Sequence, residues 1–265
     1  MSLSHSPRIV TNGIIHILDA SKYNTSLSQT ITSPIGDSWT ISNFSTGNTS
    51  SIISLSSNVN NFGAGNSFVR VAPNSSANTG SITFILWFNL KNIPIDTDGN
   101  NNWRALVATN LGGTSGSPLT MVLEEGRTIN FSTSHTDSYR RYLDSSFTPV
   151  SVDANGWQMI TYTYNKDTGI AHCYKNNTAI RVGRMTSDAS NNSPTAAGTG
   201  LLYTNYTSGG TQTGFKIFGG NSETANTTGN GFVPGELSNI MIYNRALSNT
   251  EISQNFNALR GRFGI

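Results

Sequence analysis

Charge is what this chain has least of. Among 265 residues, Lys and Arg number 16 and Asp and Glu 14, together 11% of the sequence, with a formal net charge of +2. So sparse and balanced a set builds no field able to steer nucleic acid or an anionic membrane surface, and neither is expected as a partner. There is one cysteine, Cys173, which excludes an intrachain disulfide. It lies in the alternating run Ile170 to Tyr174 and reads as a small buried hydrophobe. No run of about 18 apolar residues occurs, so no membrane insertion is expected. The opening MSLSHSPRIV lacks the apolar core of a signal peptide, and synthesis in a cytoplasm is the expectation.

Small polar residues fill the gap. Ser, Thr and Asn supply more than a third of the chain, alongside 26 Gly. These types compete with helix hydrogen bonds and favour turns and short strands. Hydrophobic residues at 35% and aromatics at 9%, grouped in alternating runs, are enough to bury a core, which excludes disorder. All-β sandwiches of this length are commonly single units. One domain over residues 13–265 is expected, preceded by an arm over 1–12 that a neighbour in an assembly would clamp.

The most informative segment is GELSNIMIYNRALSNTEISQNFNALRGRFGI, residues 235–265. From Leu237 the side chains alternate: Leu237, Asn239, Met241 and Tyr243 fall on one face, Ser238, Ile240 and Ile242 on the other. Ser248 followed by Glu251 forms a capping-box pattern. Ile252, Phe256 and Leu259 then recur at helical spacing until Arg260 and Gly261 are expected to close the helix. Further strands are expected at Ser67–Val71, Arg104–Ala108, Leu119–Leu123, Thr128–Phe131, Arg140–Leu143, Ile180–Arg184 and Phe215–Phe218. Their rhythm, with Gly- and Asn-bearing turns between them, is that of a sandwich of antiparallel sheets.

The strand with Tyr243-Asn244-Arg245-Ala246-Leu247-Ser248 and Glu251-Ile252 resembles the closing motif of laminin-G-like domains of the concanavalin A-like lectin/glucanase superfamily. Through Arg262-Phe263-Gly264-Ile265 the tail is similar to copies found in virion proteins of tailed bacteriophages. Residues 12–20 resemble the family's opening strand and Ile82–Phe88 its central one. Trp157–Tyr164 with Gly169–Tyr174 look like its paired strands. The chain departs from the family at Lys175-Asn176-Asn177, where members often carry a glycine turn, and at Asp188–Gly214. The resemblance implies an all-β, concanavalin A-like jelly-roll sandwich of two antiparallel sheets with one short C-terminal helix.

The sequence offers no catalytic pattern. Polysaccharide cleavage needs two carboxylates about 5 to 5.5 Å apart for retention, or farther apart for inversion. On a strand they would stand two or four residues apart. Glu124 and Glu125 are adjacent, and Asp96 and Asp98 fall in a turn, Asp96-Thr97-Asp98-Gly99-Asn100-Asn101-Asn102. That turn is the best calcium candidate, but its glycine is fourth rather than sixth and no helix flanks it. A metal-free hairpin tip is expected. His5, His16, His135 and His172 share no metal-ligand spacing. Gly112–Gly116 lacks the features of a nucleophile turn, and Gly63-Ala64-Gly65 and Gly219-Gly220 lack the following helix of a phosphate cradle. No catalytic residue, metal or cofactor is expected.

One constellation stands out. His135 to Asp144 concentrates aromatics and guanidinium groups, with Tyr139, Arg140, Arg141 and Tyr142 at its centre. Tyr and Arg are enriched where proteins dock, and aromatic faces also stack on sugar rings. Three readings stand open: a solvent-facing strand pair balanced by Asp137 and Asp144, a protein contact, or a glycan contact. The resemblance implies a non-enzymatic virion protein, a capsid decoration subunit or another exposed particle component. Its expected partners are other virion proteins, the major capsid protein among them, in a homo-oligomer. The alternative is a carbohydrate-binding module for host-surface glycan, with Trp103, Tyr139, Tyr142, Tyr203 and Tyr206 as its aromatics. A glycoside hydrolase ranks last.

Overall fold

The computed structural model describes residues 7–22, 29–42, 53–55, 68–71, 80–90, 104–108, 119–124, 128–134, 140–142, 150–153, 155–184, 186–187, 215–217 and 235–265. They form two antiparallel sheets and one helix, the jelly-roll sandwich expected from the sequence. The front sheet contains β1 (Ile14–Asp19), β4 (Ile53–Leu55), β6 (Ile82–Leu90), β12 (Trp157–Asn165), β13 (Ile170–Lys175), β14 (Thr178–Arg184) and β17 (Gly235–Tyr243). Its order is β1-β17-β6-β12-β13-β14, with β4 also paired to β17. The back sheet contains β2 (Gln29–Thr32), β3 (Ser38–Ser42), β5 (Phe68–Val71), β7 (Arg104–Ala108), β8 (Leu119–Glu124), β9 (Thr128–Ser134), β10 (Arg140–Tyr142), β11 (Val150–Ser151), β15 (Thr186–Ser187) and β16 (Phe215–Ile217). The helix α1 spans Asn249–Phe263.

Two cores result. The inner one lies between the sheets and draws Phe84, Leu86 and Phe88 from β6, Ile160 and Tyr162 from β12, and Met121, Phe131 and Ile217 from the back sheet. Phe131 and Tyr162 stack across it with centroids 5.1 Å apart. Cys173 is buried there, as its alternating context suggests. The outer core lies on the other side of the front sheet, where Val10, Ile85, Trp87, Met159, Met241 and Tyr243 meet Ile252, Phe256 and Leu259 of α1. A strand packed on both faces needs apolar residues at consecutive positions, which is why β6 reads ITFILWFNL and is buried throughout.

Three details differ from the sequence reading. A register shift between Leu237 and Asn239 inserts an extra residue at Ser238. That bulge turns Leu237 into the inner core with Ile240 and Ile242, away from Met241 and Tyr243. Gly261 does not end α1. The helix continues to Phe263 and stops at Gly264, which adopts the left-handed conformation (φ 72°) and donates its N–H to the Arg260 carbonyl. The extra turn is held because Phe263 stacks on Trp87 at 4.5 Å and meets Trp157 at 4.6 Å, while Arg262 bonds Asp19 at 2.8 Å. Finally, the turn without glycine is a tight one between β13 and β14 in which Asn176 takes the positive φ (55°). Asn tolerates that conformation. Here its Oδ1 accepts from the Met159 N–H at 2.9 Å and its own N–H donates to the Met159 carbonyl at 2.7 Å.

Candidate functional site

A set of long-range side-chain bonds seats the N-terminal arm on the tail. β17 ends at Tyr243, the turn after it presents Arg245, and α1 presents Glu251, Gln254 and Asn255 on the same side. The Tyr243 hydroxyl donates to the Val10 carbonyl at 2.9 Å and accepts from Asn255 Nδ2 at 3.1 Å. Asn255 Oδ1 closes the ring by accepting from the Val10 N–H at 2.8 Å. All three residues are buried. Burial pushes the Tyr243 phenol far above its ordinary pKa, so it stays a donor throughout the neutral range.

Around this ring lie further bonds, one neutral and the others made by Arg245. Gln254 Nε2 donates to the Arg8 carbonyl at 2.7 Å and Arg245 Nε to the Asn12 carbonyl at 2.9 Å. The other two Arg245 nitrogens fork onto Glu251 at 2.9 and 2.6 Å. Hydrogen bonding from Arg245, with help from the Ser248 backbone and hydroxyl, pulls the Glu251 carboxyl down to about 2. Glu251 and Ser248 complete the predicted capping box. Thr83 of β6 ties the turn to the sheet, donating to the Arg245 carbonyl at 2.8 Å and accepting from the Leu247 N–H at 2.9 Å. The clamp expected of a neighbour is therefore supplied, for residues 8–12, by the chain's own tail.

A second polar cluster joins the sheets at one edge. His16 of β1 is buried edge-on to Trp39 of β3, with its Nδ1 3.4 Å from Asp37 Oδ2. Asp37 also accepts from Trp39 Nε1 at 2.9 Å, from the Ile17 N–H at 3.1 Å and from the Ser33 hydroxyl. Burial alone would raise the Asp37 carboxyl. The His16 ring, the Ser33 hydroxyl and the Ile17 amide outweigh it and hold the group below its usual range. Serine and histidine both point at the aspartate rather than at each other, so the three form a brace and not a nucleophile relay. His172 lies against Tyr174 with rings 6.1 Å apart, and burial lowers its pKa.

The predicted contact patch falls on the back sheet. Arg140, Arg141 and Tyr142 form β10, paired to Ser134, Thr133 and Ser132 of β9 on one side and, through Arg141 and Tyr142, to β15 on the other. Tyr139 lies outside the described residues, as do Trp103, Tyr203, Tyr206, His5, His135 and the loop Asp96–Asn102. Among the described residues no group of three His, Cys, Asp or Glu side chains could hold a metal ion. No described helix is long and apolar enough to cross a membrane. Six acids meet partners inside the chain: Asp19 with Arg262, Asp37 with Trp39, Asp153 with Lys175, Asp167 with Lys166, Glu236 with Asn89 and Glu251 with Arg245. The arm's seat went unseen in the sequence. Its one available signal was the buried polar pair Tyr243 and Asn255 on otherwise apolar faces.

This geometry defines a jelly-roll β-sandwich closed by a helix and an arm on its front sheet. No family model matches the chain, and no curated protein matches it. Solved structures share the fold. The binding domain of botulinum neurotoxin DC in complex with SialylT superposes with a TM-score of 0.61 at 15% identity, over 94% of this chain and 52% of that one. A Trypanosoma rangeli sialidase in complex with 2,3-difluorosialic acid gives 0.58 at 12% identity, over 94% and 34%. The botulinum neurotoxin type G receptor binding domain gives 0.51 at 11%, over 92% and 51%. The chain thus spans a third to a half of the structures it matches, and the likeness is one of fold.

Proposed function

We propose that this chain is a non-enzymatic module that works by contact, as an exposed component of a tailed-phage particle. The observation that carries this reading is the fate of the carboxylates. Among the described residues, six acids each meet an Arg, Lys, Trp or Asn of the chain itself, which supports a role without acid–base chemistry. The closing motif from Tyr243 to Ile252, with its capping box and Arg245–Glu251 fork, supports the phage side of the reading. Those residues cap the start of α1 and tie the turn after β17 to the helix. Mass spectrometry and imaging of an intact particle would locate the protein. Absence from purified virions would overturn this reading.

A second reading is attachment to host-surface glycan. It is supported by the shared fold with the neurotoxin binding domain in complex with SialylT. A glycan array decides it: reproducible binding at millimolar or tighter affinity supports it, and silence removes it. Alanine at Tyr139, Arg140, Arg141 and Tyr142 then tests the patch: loss of attachment or of assembly supports a contact role, and unchanged assembly and attachment remove both contact readings of it. Release of reducing sugar from any polysaccharide would overturn the non-enzymatic assignment.

A further inference from the structure

The arm is gripped by its main chain. At alternate residues 8, 10 and 12, side chains of the tail bond backbone groups: Gln254 to the Arg8 carbonyl, Asn255 and Tyr243 to the Val10 amide and carbonyl, and Arg245 to the Asn12 carbonyl. The partners lie 233 to 246 residues away in sequence. Val10 drops into the outer core and Ile9 packs beside it. This is how an extended peptide is held in a groove: backbone bonds at every second residue and a pocket for an apolar side chain. Nothing in such a grip distinguishes the chain's own arm from the identical arm of another molecule.

One glycine sets the turn between the arm and β1. Gly13, with φ +80°, turns the arm back over its own helix. A Cβ there would stand 2.9 Å from Asn244 Oδ1 and 3.0 Å from Arg245 Nε. We propose that this seat is a peptide-binding site whose second occupant is the arm of another copy, so that copies join by exchanging residues 7–12 about Gly13. The side-chain bonds that grip the arm are the same in the closed and exchanged forms, whereas the Ile14 N–H to Thr11 carbonyl bond at 3.2 Å crosses the hinge and belongs to the closed form. The balance rests on hinge conformation and on the high effective concentration of the tethered arm.

The test uses the full chain. Arg8 is exposed and its carbonyl meets Gln254, while the native Cys173 is buried. Single variants Arg8→Cys and Gln254→Cys, co-expressed and treated with a short bismaleimide, should give a covalent dimer of one copy of each on a denaturing gel. In a Gly13→Ala background, which penalises the closed turn, its yield at fixed concentration should rise roughly tenfold. The double variant Arg8→Cys with Gln254→Cys, handled alone and dilute, should link internally and shows that the two sites are in reach. The proposal is overturned by internal linkage without any mixed dimer up to the highest soluble concentration. A dimer seen by light scattering in which the thiols introduced at positions 8 and 254 never link would overturn it too.

Discussion

The inner and outer cores of this protein are built on opposite faces of the same strands, yet by different means. Between the sheets the residues are aliphatic and aromatic, and rings such as Phe131 and Tyr162 meet by stacking face on face. Beneath α1 an apolar layer is joined to a ring of hydrogen bonds through Tyr243, Asn255 and Val10. Apolar burial is non-directional and sets how stable a core is. Hydrogen bonds are directional and fix which segments must lie where. The inner core thus makes the sandwich, and the outer core decides how the arm and the helix are placed on it.

The hardest way to break this contrast is Tyr162→Ala. Truncating a fully buried aromatic of the inner core should cost about 3–5 kcal/mol and lower the denaturant midpoint for all probes together. Tyr243→Phe should cost about 2–3 kcal/mol, because the Val10 carbonyl and the Asn255 amide both lose a buried partner. Hydrogen exchange should show its loss concentrated at residues 8–12 and in α1, with β6 and β12 still protected. Uniform deprotection would merge the two cores into one unit.

Acid sharpens the same division. Glu251 titrates near 2 in the folded chain against an ordinary 4.5. Its depressed pKa contributes stability that is complete above 4.5 and is lost as the pH falls toward 2. Glu251→Gln should therefore cost about 1 kcal/mol at neutral pH and flatten the acid limb of the unfolding profile. A profile with the same slope as the parent would remove Glu251 from the account. The smallest effect is Asn176→Gly. Glycine takes the positive φ at ease but gives up the bond to the Met159 amide, so a loss of about 0.5–1 kcal/mol in thermal unfolding is expected. No loss would mean the turn needs only its backbone conformation.

How much of this was legible in the sequence depends on the kind of signal. The strands β13 and β17 and the capped start of α1 could be read because alternation and capping are local patterns, whereas β6 and β12 were placed by their resemblance to family strands. The bulge at Ser238 could not, since an uninterrupted period of two is the default and one inserted residue leaves no mark on composition. β4, β11 and β15 are only two or three residues long, and β2 (QTIT) and β3 (SWTIS) are mostly polar, so none of the five shows an apolar alternation in the sequence. Gly261 resembles a stop until Phe263 and Arg262 are seen to find partners on Trp87 and Asp19. The arm's seat was hidden for a deeper reason. It is made from backbone carbonyls of one segment meeting side chains of another, and a carbonyl carries no sequence signature.

The position of β17 has a consequence during synthesis. Although it is the last of the described strands in chain order, it lies in the interior of the front sheet, with β1 and β4 along one edge and β6 along the other. A nascent chain emerging from the ribosome has β1 and β6 available early but nothing to join them until residues 235–243 clear the exit tunnel. A product that stops before Gly235 can pair β6, β12, β13 and β14 but cannot join β1 and β4 to them, and such fragments expose unpaired strand edges to proteases and to one another.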